Sequence, residues 1–192
     1  MKQINSAFIS VFNKENLKPL ISLLKKLKIK LYSSGGTKIE LEKLGCQVTS
    51  VEEITEYPSI LGGRVKTLHP KIFGGILYRR NLKSDLEDVK KYDIPNFDLV
   101  IVDLYPFEET VKNNANEDEI IEKIDIGGIS LIRAAAKNFK DVLIISSKEL
   151  IPKCIDVLQK NNGKTSLEER LFFAKKAFDI SSNYDKNIFS WF

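Results

Sequence analysis

The sequence predicts one α/β domain in three layers, a mostly parallel sheet covered by helices on both faces. Phe97–Asp103 and Val142–Ser146 each carry an unbroken apolar run, as strands buried on both sides do. Between such runs the apolar residues fall at helical spacing, first at Leu17, Leu20, Ile21, Leu24 and Leu27, with lysines on the other face. No repeat, low-complexity stretch or linker divides the 192 residues. A chain of that length buries roughly 70% of its unfolded surface, enough for one core without a metal or disulfide staple.

In chain order, Ala7–Val11 is the first compact apolar run and reads as a buried strand before the Leu17–Leu27 helix. Lys30–Ser33 is a second strand, and Thr37–Leu44 a second helix closed by Gly45. Gln47–Val51 is a short third strand. From Glu53 to Pro70 the pattern dissolves into Gly, Pro, Arg and Lys, and irregular stretches this long inside a domain are usually functional. Ile72–Tyr78 is apolar again, and Leu82–Lys91 is a polar surface helix. Helices are expected around Glu117–Ile124 and Gly128–Lys137, between the two strongest strands. The tail Ser166–Phe192 is helical, with Leu167, Leu171, Ala174, Ala177, Phe178 and Ser181 as its buried stripe.

Composition narrows the function. A hydrophobic share of 43% and a charged share of 29% are those of an ordinary globular protein and argue against disorder. No apolar run reaches the eighteen or so residues of a membrane span, and the first residues lack the apolar stretch of a signal peptide, so a cytoplasmic protein is expected. Cys46 and Cys154 are far apart and outside any CxxC or CxxH pattern, so neither a disulfide nor a zinc site is expected. The net charge of +4 suits an anionic small molecule and is too weak and dispersed for nucleic acid.

In parallel α/β sheets, chemistry gathers where strands end. Ser34-Gly35-Gly36-Thr37 follows a strand and opens a helix, a turn whose N–H groups and hydroxyls suit a phosphate; its plain alternative is a turn capped by Thr37. Ser10 and Asn13 close the preceding strand in the same way, with Lys14 either a phosphate cation or a surface lysine. Gly62-Gly63-Arg64-Val65-Lys66-Thr67-Leu68-His69-Pro70 sets two cations beside a glycine pair. It is either an anion grip or a solvated basic loop. His69, held extended by Pro70, suits a structural hydrogen bond better than proton transfer. Tyr105, just past Asp103, is an oxyanion donor or an aromatic plug. Asp125 is a base beside the free N–H groups of Gly127 and Gly128, or only the cap of the helix that follows.

These segments stand together in one chain and one order. The chain is identified as a member of a known family on Gly62–Pro70, on Ile124-Asp125-Ile126-Gly127-Gly128, on Arg133-Ala134-Ala135-Ala136-Lys137-Asn138, on Leu104-Tyr105-Pro106-Phe107 and on the Ser34–Thr37 turn. Across almost its whole length it resembles the inosine monophosphate cyclohydrolase domain of the bifunctional purine-biosynthesis enzymes. In those enzymes the second domain is an aminoimidazole carboxamide ribonucleotide transformylase. The resemblance implies a methylglyoxal-synthase-like fold, with residues 1–192 forming the cyclohydrolase domain and nothing after Phe192 matching the transformylase. It implies dehydrative closure of a formamidoimidazole carboxamide ribonucleotide to inosine monophosphate, with no cofactor and no metal.

Carried over by position, Lys66, Tyr105, Asp125 and Lys137 are its catalytic set. Ser10, Asn13, Lys14, Ser34, Gly35, Gly36, Thr37, Arg64, Val65, Thr67, Asp103, Ile126 and Gly127 are its substrate contacts. Asp125 is assigned to the carboxamide NH₂, Tyr105 and Lys66 to the formyl oxygen, and Lys137 to proton transfer or charge. The chain departs from the family at Phe12 (usually serine), Asp103 (usually asparagine), Phe73 (often histidine) and Ile129 (commonly proline or valine). Asp103 thereby sets a negative charge near the substrate's carboxamide or base. The partner implied is a purine ribonucleotide, with neither nucleic acid nor membrane. The aromatic chain end either packs on its own domain, leads into the missing transformylase domain, or, if exposed, drives self-association as a homodimer. Two rival readings on the same fold are a non-catalytic nucleotide sensor and a methylglyoxal synthase.

Overall fold

The computed structural model describes residues 1–15 and 17–192. Its first half runs β1 (Lys2–Gln3), β2 (Ser6–Ser10), α1 (Leu17–Lys26), β3 (Lys30–Ser33), α2 (Gly35–Lys43), β4 (Val48–Ser50), α3 (Val51–Thr55), α4 (Pro70–Leu77) and α5 (Lys83–Lys91). Its second half runs β5 (Leu99–Val102), α6 (Phe107–Lys112), α7 (Glu117–Ile121), α8 (Gly127–Lys137), β6 (Leu143–Ile145), α9 (Ile151–Lys160), β7 (Lys164–Thr165) and α10 (Leu167–Trp191).

The main sheet is wholly parallel, in the order β4-β3-β2-β5-β6, and helices flank it in a three-layer arrangement. β1 and β7 form a separate antiparallel pair that no sequence pattern announced. Every residue of β5 and β6 is buried, which is why both read as unbroken apolar runs. α8 lies on β5 and β6 with α4 and α10 packed against it, while α1 pairs with α9. Phe97 stands at the centre of the core, 5.4 Å from Phe8 and edge-on to Tyr32 at 5.1 Å.

The winding places the site. From β2 the chain moves to β3 and β4 on one side, then crosses to β5 and β6 on the other. Such a reversal opens a crevice at the carboxyl ends of the two strands that flank it. Here those ends carry Ser10, Val11 and Phe12 from β2, and Asp103, Leu104 and Tyr105 from β5.

The structure corrects several expectations. The second helix starts at Gly35 rather than Thr37, and the Thr37 hydroxyl does not cap it. That hydroxyl donates to the Val11 carbonyl at 2.9 Å and accepts its N–H at 3.1 Å, tying α2 to the end of β2. The apolar run after His69 is helix α4, whose first free N–H, that of Lys71, is taken by His69 Nδ1. Helix α9 follows a helical period of Ile151, Cys154 and Leu158 that is plain once seen. The buried stripe of α10 is Arg170, Phe173, Ala174, Ala177, Ser181 and Tyr184, with Leu167 and Phe178 exposed. A charge can lie in that stripe because the Arg170 guanidinium donates to the carbonyls of Phe139, Lys140 and Thr165.

Candidate active site

At the switch point lies a cleft of about 680 Å³. One wall is the β3–α2 turn. Ser33 Oγ donates to the Ile9 carbonyl at 2.6 Å, and Gly35 turns the chain at φ +50, a conformation that favours glycine. Ser34 between them is extended, and its buried hydroxyl has no hydrogen-bond partner among the described residues. The first N–H groups of α2 open beside it, so a free donor and a helix N-terminus face the same space.

The second wall is the segment of glycines and cations. Ile60 and Val65 exchange two backbone hydrogen bonds around a 3-10 turn, Leu61–Gly63, whose glycines both take positive φ. This narrow loop uses Val65 in the bridge and leaves Arg64, Lys66 and Thr67 lining the cleft. Lys66 Nζ stands 3.6 Å from where a Gly35 side chain would begin, so its ammonium sits at the α2 N-terminus. Arg64 pairs at the exposed mouth with Glu122, which holds its guanidinium even further above the usual range. Lys14 folds back on its own loop, donating to the carbonyls of Val11 at 2.5 Å and Phe12 at 2.9 Å.

The third wall comes from the end of β5 and the α7–α8 connection. Asp103 accepts the backbone N–H groups of Phe12 and Asn13, and burial raises its carboxyl despite these two donors. Tyr105 meets Phe12 edge-on at 5.5 Å, and Lys123 Nζ stands 5.7 Å from both ring centres. Burial, helped by the charges of Asp125, Asp103 and Glu122, pushes the Tyr105 phenol up, so it is a protonated donor at neutral pH. Asp125 Oδ1 accepts the Gly128 N–H at 2.6 Å, at the start of α8. Its carboxyl is raised by burial and by the Asp103 charge. The Gly128 and Gly127 N–H groups and the Lys66 charge offset only part of this. Glycine at 128 leaves room for the Asp125 carboxylate, which an added Cβ would displace.

Most of the predicted site residues meet in this cleft: Ser10, Lys14, Ser34, Gly36, Thr37, Arg64, Lys66, Thr67, Asp103, Tyr105, Asp125, Ile126 and Gly127. Gly35 lies directly under Lys66. Asn13 stands on the far side of Asp103, its Oδ1 taken by the Glu15 N–H. Val65 is occupied in its bridge. Lys137 is the last residue of α8, exposed and ten residues from the first-turn glycine at the cleft. At the helical rise that is about 15 Å, toward the opposite edge of the sheet, so this chain does not bring its own Lys137 to the cleft. Asp125 acts as both helix cap and cleft residue, where the sequence offered those roles as alternatives. Glu122 and Lys123 line the cleft, and Tyr184 backs it through a bond from the Asp125 N–H; none carried a sequence signal beyond lying near Asp125 or in a helix.

Comparison with known proteins agrees with this architecture. Residues 16–130 match the family model described as the MGS-like domain. The chain belongs to the MGS-like domain family. Residues 135–192 of this MGS-like domain protein match a second family, the AICARFT/IMPCHase bienzyme. It is 55% identical over 191 residues to the bifunctional purine biosynthesis protein PurH of Bacteroides thetaiotaomicron, covering 100% of this chain and 38% of that one. To PurH of Rippkaea orientalis it is 45% identical over 188 residues, 97% of this chain and 36% of that one. It thus spans little more than a third of these curated relatives. The solved structure titled ForH superposes with a TM-score of 0.81 at 33% identity, covering 95% of this chain and 94% of that one. No helix among the described residues is long and apolar enough to cross a membrane.

Proposed function

We propose that this MGS-like domain is an inosine monophosphate cyclohydrolase, closing 5-formamidoimidazole-4-carboxamide ribonucleotide to inosine monophosphate with loss of water. The observation that carries the reading is the position of Lys66, at the α2 N-terminus and close enough to Asp125 for its charge to offset part of the rise that burial imposes on that carboxyl. One cation thereby joins an anion cradle to a proton acceptor. The substrate phosphate lies over the first turn of α2, taking the free Ser34 hydroxyl and the adjacent N–H groups. Its imidazole then reaches toward Tyr105 and Asp125.

Ring closure joins the carboxamide nitrogen to the formyl carbon. One proton from that nitrogen and one from the formamide nitrogen leave with the formyl oxygen as water. Asp125 accepts the carboxamide proton; its burial-raised carboxyl makes it a stronger base than a solvated aspartate. Tyr105 donates to the formyl oxygen as negative charge grows there, and Lys66 stabilises the same charge. The relatives' description as bifunctional purine biosynthesis proteins supports the substrate class. A transformylase domain in the full-length protein, a homodimer and a cytoplasmic setting belong to the same reading.

The test is ultraviolet-monitored conversion of the formamido ribonucleotide, with chelator present and no cofactor added. Turnover that collapses in Lys66→Ala and Asp125→Ala supports the proposal. Absent turnover with tight binding of purine monophosphates makes the domain a nucleotide sensor. Activity on a triose phosphate makes it a methylglyoxal synthase.

A further inference from the structure

We infer that Tyr184, on the C-terminal helix α10, is a positioning residue for Asp125. This inference rests on the role given to Asp125 above. The Tyr184 hydroxyl accepts the Asp125 backbone N–H at 2.9 Å and donates to the Lys123 carbonyl. Both bonds reach 59 or more residues back along the chain, to the short connection between Ile121 and Gly127 that no helix or strand holds. One hydroxyl thus fixes the backbone on both sides of Ile124. The side chain of the next residue, Asp125, is then fixed at its other end by the Gly128 N–H. A carboxylate anchored at backbone and tip points in one direction only, and proton transfer needs that.

The ring of Tyr184 adds a second link. It is buried and packs edge-on to Phe107 at 6.1 Å, and Phe107 packs in the same manner on Trp191 at 6.0 Å. Phe107 opens α6 two residues beyond Tyr105, and its N–H donates to the Tyr105 carbonyl at 2.8 Å. The end of α10 therefore backs the segment carrying the proposed base and the one carrying the proposed donor. The hydroxyl accepts one bond and donates the other, so it must stay protonated. Burial ensures this by pushing the phenol up to about 12.

The decisive variant is Tyr184→Phe, which keeps the ring against Phe107 and removes only the hydroxyl. Amide hydrogen exchange at Gly128 should speed up about tenfold or more, while Ile132, deeper in α8, keeps its protection. In the cyclisation assay kcat should fall about tenfold to a hundredfold with KM within about threefold. In an Asp125→Asn background the same change should cost almost nothing further, because the group it positions is already gone. Unchanged exchange at Gly128, an equal loss of turnover in both backgrounds, or a loss confined to KM would overturn the inference. If the unmodified protein shows no turnover, the cyclohydrolase reading fails while the exchange measurement still decides whether Tyr184 holds Asp125.

Discussion

Asp103 fastens the end of β5 to the end of β2: its two carboxylate oxygens accept the backbone N–H groups of Phe12 at 2.5 Å and of Asn13 at 2.9 Å. Phe12 in turn meets the Tyr105 ring edge-on. The carboxylate is therefore a clamp on the β2–α1 loop. An asparagine has one acceptor oxygen and would turn its NH₂ toward the second N–H. Asp103→Asn should lower stability by about 1 kcal/mol in urea titration and weaken purine monophosphate binding several-fold. A variant as stable as the parent would show that the clamp contributes nothing.

Ser34 offers the opposite combination. Its buried hydroxyl is unpartnered among the described residues, and an orphaned buried polar group costs about 1–3 kcal/mol. Ser34→Ala removes that cost, so the ligand-free protein should melt at the same temperature or higher. It also removes a phosphate donor, so inosine monophosphate should bind about tenfold more weakly. Inosine, which lacks the phosphate, should bind both forms alike. Equal loss for nucleoside and nucleotide would move the phosphate away from α2.

The fold was largely legible because its signals are local. Unbroken apolar runs mark β5 and β6, and the Leu17–Leu24 period marks α1. Glycines and hydroxyls mark the turn before α2. Misreadings arose where a tertiary bond replaced a local one. Thr37 looks like a cap from its neighbours alone, yet Val11, brought close by the parallel pairing of β2 and β3, takes its hydroxyl. Arg170 looks like a surface residue until the Phe139 and Lys140 carbonyls, from a distant segment, join that of nearby Thr165 around it. Within the site, the glycine and charge motifs point to Lys66 and Asp125. Lys137 belongs to the motif that closes α8, and the length of the helix separates it from the cleft at the other end. Tyr184 could not be found from sequence, since nothing local distinguishes it from any other tyrosine in a helix.

Gly128 sits against the Asp125 carboxylate, and a side chain there would displace it. Alanine is nevertheless the better helix former by about 1 kcal/mol, and Gly128 lies in the first turn of α8. Gly128→Ala should therefore leave the fold intact and cost turnover about a hundredfold or more, through a misplaced base. Circular dichroism with the cyclisation assay separates the two effects. Retained activity would mean that Asp125 need not stand where Gly128 N–H holds it.

Burial raises Asp125 above its ordinary 3.8, and this makes its ionisation a load on the fold. Above the raised value the carboxyl is charged in both folded and unfolded chains, and the burial penalty counts fully against folding. As pH falls between the raised value and 3.8, the folded protein takes up the proton first, and the penalty is relieved. Below 3.8 both states are protonated and the group contributes nothing. Asp125→Asn never carries the charge, while its side-chain oxygen can still accept the Gly128 N–H. It should be more stable than the parent at pH 7, and the difference should shrink on acidification and vanish below about pH 4. Turnover should run the other way, falling steeply in the variant at neutral pH. In the parent it should decline toward acid with an apparent pKa above that of a solvated aspartate. Urea titrations of both proteins from about pH 3.5 to about pH 7.5, a range that brackets a raised carboxyl, read the first effect. A stability gap independent of pH would mean that the Asp125 carboxylate is not destabilised by its burial, and the account of its basicity would fall with it.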